Sequence, residues 1–238
     1  MTTHSNGRTI STSLGQIHQR IETACGAAGR TPTDVRLLAV SKTKPLSAVM
    51  AAYDYGQRHF GENYLQDALV KIEQCPYKDV EWHFIGAMQS NKTKTIAEQF
   101  DWVHTLDRLK IARRLNDQRP DHLPPLKVLI QVNINNETNK SGVSLAELPA
   151  LVNEITGLSR LYVCGLMCIP KAGQGDALTQ LAFTQMANAR DALQKDFPNI
   201  TELSMGMSAD LHHAIACGTT IVRIGTDIFG ARDASAPT

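Results

Sequence analysis

Residues 37–56 read LLAVSKTKPLSAVMAAYDYG, and this stretch sets the architecture. Leu37–Ser41 is a short apolar run suited to a buried strand, and Pro45 breaks it. From Leu46 the period changes. Leu46, Val49, Met50 and Tyr53 fall at i, i+3, i+4 and i+7, one face of a helix that Gly56 stops. The same strand–turn–helix unit recurs down the chain. Arg58–Gly61 leads to Leu65–Gln74, Glu81–Gly86 to Ser90–Gln99, and Trp102–Thr105 to a helix capped by Asp107. Lys127–Asn133 (KVLIQVN) precedes a helix opening on the capping box Ser144-x-x-Glu147. Leu161–Met167 leads to Asp176–Lys195, Glu202–Met205 to Ala209–Cys217, and Thr220–Ile224 closes the series.

Eight near-continuous apolar strands, each but the last followed by a helix, imply a parallel sheet covered by helices. At 238 residues the chain fits a single-domain (β/α)8 barrel of the TIM type, with a doubly wound open sheet as the alternative. An extra N-terminal helix, Arg8–Gly29, can fill the gap after the eighth strand. No linker, charge run or low-complexity segment divides the chain into a second domain.

In such a barrel, chemistry sits at the C-terminal ends of the strands. Lys42 stands there, after the first strand. Beside apolar walls a lysine loses charge stabilisation and becomes the neutral amine that attacks carbonyls. The commoner fate of such a lysine is to snorkel, its stem on the core and its head in water. The far end of the chain shifts that balance. Ser204-Met205-Gly206-Met207-Ser208 joins a strand to a helix that Ser208 caps, and Arg223-Ile224-Gly225-Thr226 opens a helical turn at Asp227–Gly230. Glycines, hydroxyls and helix N-termini beside an arginine suit a phosphate. A lysine facing a phosphate cradle suits pyridoxal phosphate or an imine-forming phosphosugar, and spacing alone does not separate them.

Composition is that of a soluble globular protein, 42% hydrophobic and 20% charged with a net charge of +1. That balance offers no electrostatic footprint for nucleic acid or an anionic membrane. No membrane span is present, and the polar start Met1–Arg8 lacks a signal-peptide core. Cys25, Cys75, Cys164, Cys168 and Cys217 are scattered and odd in number, which favours thiols in a reducing cytoplasm over disulfides or a metal centre.

The motifs themselves resemble a known family. Leu37–Pro45, Phe60-Gly61-Glu62-Asn63-Tyr64, Trp82-His83-Phe84-Ile85-Gly86, Gln89-Ser90-Asn91-Lys92, the 204–208 loop and Val222–Thr226 with Ile228-Phe229-Gly230 are similar to those of the pyridoxal phosphate homeostasis proteins. The likeness runs from about Ile10 to Asp233, with Ala87 where the family more often has proline. The resemblance implies an alanine racemase-like barrel (fold type III) carrying pyridoxal phosphate as a Schiff base on Lys42. It implies phosphate contacts from Ser208, Gly225 and Thr226, with Ser204, Met205 and Gly206 of the same loop also counted as cofactor-binding residues. Arg223 would meet the ring nitrogen or the phosphate, and Asn63 would lie beside the cofactor. The implied role is vitamin B6 and amino-acid homeostasis without an established reaction, as a carrier for apo-enzymes. A weak amino-acid racemase and a Schiff-base aldolase are the alternatives.

An arginine at the ring nitrogen weakens the ring as an electron sink, and racemases compensate with a second base from another domain or subunit. The chain ends at Thr238 without such a domain, so a cytoplasmic monomer without a dedicated second base is expected. If desolvation keeps Lys42 neutral, loading should weaken in acid. Glu62 is a candidate base and Lys44 a rival nucleophile pointing away from Lys42. His83 reads as a hydrogen-bonded core residue, and His212, His213 and Lys140 read as solvent residues.

Overall fold

The computed structural model describes residues 9–231. The polar start Met1–Arg8 and the end of the motif region at Asp233 lie outside the described residues. The strands are β1 (Arg36–Val40), β2 (His59–Glu62), β3 (Glu81–Phe84), β4 (Trp102–Leu106), β5 (Leu126–Gln131), β6 (Leu161–Met167), β7 (Glu202–Ser204) and β8 (Ile221–Ile224). The helices are α1 (Ile10–Ala27), α2 (Leu46–Asp54), α3 (Leu65–Gln74), α4 (Thr93–Gln99), α5 (Leu109–Gln118), α6 (Leu148–Thr156), α7 (Asp176–Gln194), α8 (Leu211–Ala216) and α9 (Thr226–Phe229).

The strands form a closed parallel barrel in sequence order. Closure comes from β8 pairing with β1, Leu37 opposite Val222 and Leu38 opposite Arg223, which disposes of the open sheet. Alternation along each strand then sorts the side chains. Leu38, Trp102, Leu129, Cys164, Met167 and Ile221 fill the barrel interior. Phe60, Phe84, Val103 and Leu203 turn outward into the larger core beneath the helices. The interior is not wholly apolar, because His83, His104 and Ser204 are also fully buried.

The N-terminal helix closes the ring. Ile10, Leu14, Ile17, Ile21 and Cys25 form its buried face, which packs on α2, α8 and α9. No helix among the described residues is long and apolar enough to cross a membrane. All five cysteines are free, and all but Cys217 are buried.

Helix starts depart from the sequence reading. Asp107 does not cap α5: Arg108 is the extended N-cap residue, and Asp107 instead accepts a bond from the Arg108 guanidinium. Ser208 does not cap α8. Asp210 holds that position and accepts a hydrogen bond from the Met207 N–H at 2.6 Å. The Ser144–Glu147 box is formed, with reciprocal bonds of 3.4 and 3.3 Å, and α6 follows one turn later.

Candidate functional site

A cavity of about 480 Å³ opens at the C-terminal ends of the strands, within the range that holds a small ligand. Lys42 follows β1 and lies half-buried on its wall, between Val40 and Thr43, which also line it. The backbone on each side of Lys42 is anchored. Ser41 N–H donates to Gly61 O at 3.0 Å, and Ser41 O accepts from the Lys71 ammonium at 2.8 Å. Thr43 has a positive φ of 61°, a conformation residues with a Cβ seldom adopt. Its N–H is held there by Asp67 Oδ2 at 2.9 Å.

Lys71 ties these anchors together. Its ammonium, fully enclosed, lies 2.7 Å from Glu62 Oε1 and 2.9 Å from Asp67 Oδ2. Glu62 also accepts the Ser41 hydroxyl at 2.6 Å. Glu62 therefore faces α3 and not the cavity, which corrects its reading as a candidate base. Strand alternation is the reason: Ser41 and Glu62 turn outward while Val40 and Lys42 turn toward the mouth. Burial pushes the Glu62 carboxyl up, outweighing the opposing pull of Lys71.

Ser208, Arg223, Gly225, Thr226 and Asn63 line the same cavity as Lys42, with β8 the direct neighbour of β1. Six of the nine expected site residues thus meet in one cavity. Ser204, Met205 and Gly206 stand behind it. Met205 is buried in the outer core, and Ser204 turns inward to His104 and Arg223. Gly206 takes φ +95°, and a Cβ there would lie 2.6 Å from Ala214 Cβ, so the glycine lets the β7 loop seat on α8.

Lys44 departs from its reading. It lines the same cavity, and its ammonium donates to Ala231 O at 2.5 Å. Lys140 pairs with Glu137 at 2.7 Å, away from the cavity. His212 is exposed, but the rings of His212 and His213 lie 3.9 Å apart. His213 is half-buried, 3.5 Å from Asp176.

Three further elements escaped the sequence reading. Arg20 of α1 reaches both the β7 and β8 loops, donating to Asp227 Oδ2 at 2.8 Å and to Ser208 O at 2.5 Å. It thereby offsets the Asp227 carboxylate, the one on the cavity wall among the described residues. Lys71 is the second. The third is a file of histidines through the barrel. His59 Nδ1 lies 3.1 Å from His83 Nε2, His83 Nδ1 lies 2.9 Å from His104 Nε2, and His104 Nδ1 lies 2.9 Å from Ser204 Oγ. The signal was present: EWHF and WVHT each place a histidine two residues into a strand, on the inward-facing register.

These imidazoles make the fold acid-sensitive. Burial pulls His59 down to about 4, and His83 and His104 well below their ordinary value. Unfolded, each takes a proton near pH 6.5. The folded protein does not, so stability is complete above about pH 6.5 and falls as the pH drops toward 4. Each buried imidazole contributes a slope approaching about 1.4 kcal/mol per pH unit. Glu62 has the opposite sign and offsets part of this. The urea midpoint should fall by the equivalent of about 3 kcal/mol between about pH 7.5 and 5. An unchanged midpoint would show that the file is protonated in the folded state.

Gly86 fixes Asn63. A Cβ at residue 86 would lie 2.0 Å from Asn63 O. Gly86→Ala must therefore displace the loop carrying Asn63, at a cost of about 2 kcal/mol by overpacking. Thermal unfolding of the variant checks this, and wild-type stability would show that the loop yields freely.

The matches to known proteins agree with this geometry. Residues 12–233 match the family model described as alanine racemase, N-terminal domain. A pyridoxal phosphate homeostasis protein of Escherichia coli (strain K12) is 52% identical over 230 residues, covering 95% of this chain and 98% of the relative. The chain belongs to the pyridoxal phosphate homeostasis protein family. A family member from Vibrio alginolyticus is 55% identical over 212 residues, covering 87% of this chain and 91% of its own. Among solved structures, PipY of Synechococcus elongatus PCC7942 with PLP bound superposes with a TM-score of 0.82 at 36% identity, covering 93% of this chain and 100% of PipY. An alanine racemase of Clostridium difficile 630 shares the fold, with a TM-score of 0.76 at 11% identity over 95% of this chain and 58% of its own.

The donor set fits a phosphorylated aldehyde. Thr43 Oγ1 and Asn63 Oδ1, both of residues on the cavity wall, are buried without a hydrogen-bond partner; the hydroxyl can donate to a ligand oxygen, while the amide oxygen can only accept from a ligand hydroxyl. A buried polar atom left unsatisfied is costly unless a ligand completes it. Among the described residues the cationic side chains on the wall are Lys42, Lys44 and Arg223, against the carboxylate of Asp227, a balance suited to an anion.

Proposed function

We propose that this chain binds pyridoxal phosphate reversibly, anchored on Lys42, and acts as a carrier of the cofactor. The reading rests on one observation: Lys42 and the β7 and β8 loops line a single cavity. Bound there, the cofactor supplies an aldehyde that condenses reversibly with an amine, and an aromatic ring that draws electrons. Lys42 provides the amine, positioned by the anchors on Ser41 and Thr43. Ser208, Gly225 and Thr226, which line the cavity, provide donors for the phosphate. Arg223 provides a fixed cation on the barrel floor, and Asn63 orients the ring from the side. The carrier is read as a single-domain cytoplasmic monomer that gives the cofactor up to apo-enzymes.

Titration of apoprotein with pyridoxal phosphate and with pyridoxal tests the reading. The phosphate should improve affinity on the order of 100-fold, since charge-assisted bonds are the strong ones. Equal affinity for the two aldehydes would remove the phosphate site. Restoration of activity in an added apo-enzyme tests delivery.

A weak racemase is the second reading, favoured by Lys44 as a second amine on the same wall. Exchange of amino-acid α-hydrogens in deuterated water decides between them. No exchange above free cofactor is expected of the carrier.

A further inference from the structure

Arg223 presents an unusual problem in electrostatics. Its guanidinium is buried on the barrel floor and is held by oxygen atoms without formal charge. Nη1 donates to Ser204 O at 2.6 Å and to Ser204 Oγ at 2.7 Å, and Nη2 donates to Cys168 O at 2.9 Å. Burial pulls its pKa down, outweighing the opposing effects of Cys168 and Asp210. A buried cation needs compensation from oriented dipoles where no carboxylate is paired with it.

The histidine file ends on this same Ser204 hydroxyl. Its hydrogen bonds can be ordered in two ways. In one, Ser204 donates to His104 Nδ1, His104 Nε2–H donates to His83 Nδ1, and His83 Nε2–H donates to His59 Nδ1. In the other, every proton points back toward Ser204. The charges at the two ends choose between them. At the base of the barrel, the cations are matched: Lys127 lies 3.2 Å from Glu81 and Arg36 lies 3.5 Å from Glu202. His59 Nδ1 stands 4.0 Å from Glu81 Oε2, whose oxygen already accepts from Trp102 Nε1 at 2.6 Å and from Lys127. At the other end stands Arg223, and its charge repels protons directed toward it.

We propose that His59, His83 and His104 each carry their proton on Nε2, forming a proton-ordered file that makes Ser204 Oγ the acceptor holding Arg223. His104 is then a positioning residue for Arg223. It touches no ligand, but its Nδ1 lone pair takes the Ser204 proton and leaves the Oγ lone pairs facing the guanidinium. The file substitutes for the carboxylate that a buried arginine would otherwise need. Arg223 can therefore keep a full positive charge toward the cavity, where a counter-ion would cancel its attraction for an acceptor on the ligand. That Arg223 meets pyridoxal phosphate rests on the function proposed above; the proton order does not.

Two-bond proton–nitrogen correlation spectra of ¹⁵N-histidine-labelled protein, without added cofactor at about pH 8, read the tautomers directly. All three imidazoles should show protonated Nε2 and unprotonated Nδ1. A protonated Nδ1 on His83 or His104 would overturn the proposal. Side-chain isosteres give the second arm. His104→Asn keeps an acceptor near the place of Nδ1, whereas His104→Gln keeps only a group near the place of Nε2. Asn should bind pyridoxal phosphate within about threefold of wild type and Gln about tenfold more weakly, the scale of one bond to a charged group. Equal behaviour of the two variants also counts against the file. A borohydride-reduced adduct on Lys42 in every variant separates this result from failure of the cofactor reading itself.

Discussion

Lys42→Ala protein, mixed with pyridoxal phosphate and reduced with borohydride, should carry no pyridoxyl group at residue 42 and show no visible band beyond that of free cofactor. The fold should survive, because Lys42 is half-buried on an open wall and its neighbours hold the loop through Ser41 and Thr43. The proposed phosphate donors on the β7 and β8 loops remain, so binding should persist without the covalent bond, weaker on the order of 100-fold. Lys42→Arg keeps the charge but presents no nucleophilic amine, and it should behave like Ala in reduction. Lys44 makes the comparison sharp, since it is a second amine on the same cavity. Its ammonium is engaged by Ala231 O, so Lys44→Ala should load cofactor on Lys42 as wild type does. Peptide mapping of reduced wild-type protein checks the assignment, and an adduct found on Lys44 would reverse the roles of the two lysines.

The sequence carried the barrel because parallel strands are buried on both faces and so read as apolar runs distinct from the helical stripes between them. Runs such as Leu161–Met167 coincide with the observed strand. Helix starts were less legible. Asp107 and Ser208 are good caps in isolation, but Arg108 and Asp210 occupy those positions because the chain's route off each strand decides them. Lys42 was legible because a lysine ending an apolar strand is rare enough to notice. Glu62 was visible but misplaced, because its facing depends on the phase of strand alternation. Lys71 was hidden by its chemistry. It lies beside the apolar face of α3 and reads as a solvent residue until Glu62 is known to face it. Arg20 was illegible for a different reason: its partners, Ser208 and Asp227, lie almost the length of the chain away.

Lys71→Met should be the most destabilising of these changes. The substitution fills similar space but leaves the Glu62 carboxylate, 0% exposed, with only the Ser41 hydroxyl as a partner. Removing one member of a buried ion pair costs about 3–5 kcal/mol, because the remaining charge is stranded. At about 2–4 °C per kcal/mol for a chain of this size, the midpoint of thermal unfolding should fall by about 10 °C. The pH dependence identifies the cause. Without Lys71, the folded-state pKa of Glu62 rises further above its unfolded value, so the penalty is full above that folded pKa. It shrinks as the pH falls through it and the carboxyl becomes neutral. The deficit relative to wild type should therefore narrow in acid, and Lys71→Met with Glu62→Gln should recover much of it at neutral pH. A deficit independent of pH, unrelieved by Glu62→Gln, would assign the effect to packing alone. The same variant should load cofactor less completely, since Lys71 holds Ser41 O directly and Thr43 through Asp67. Stability and loading should therefore be coupled, because Lys42, the proposed anchor, follows β1 in a segment held by the buried Lys71–Glu62 pair.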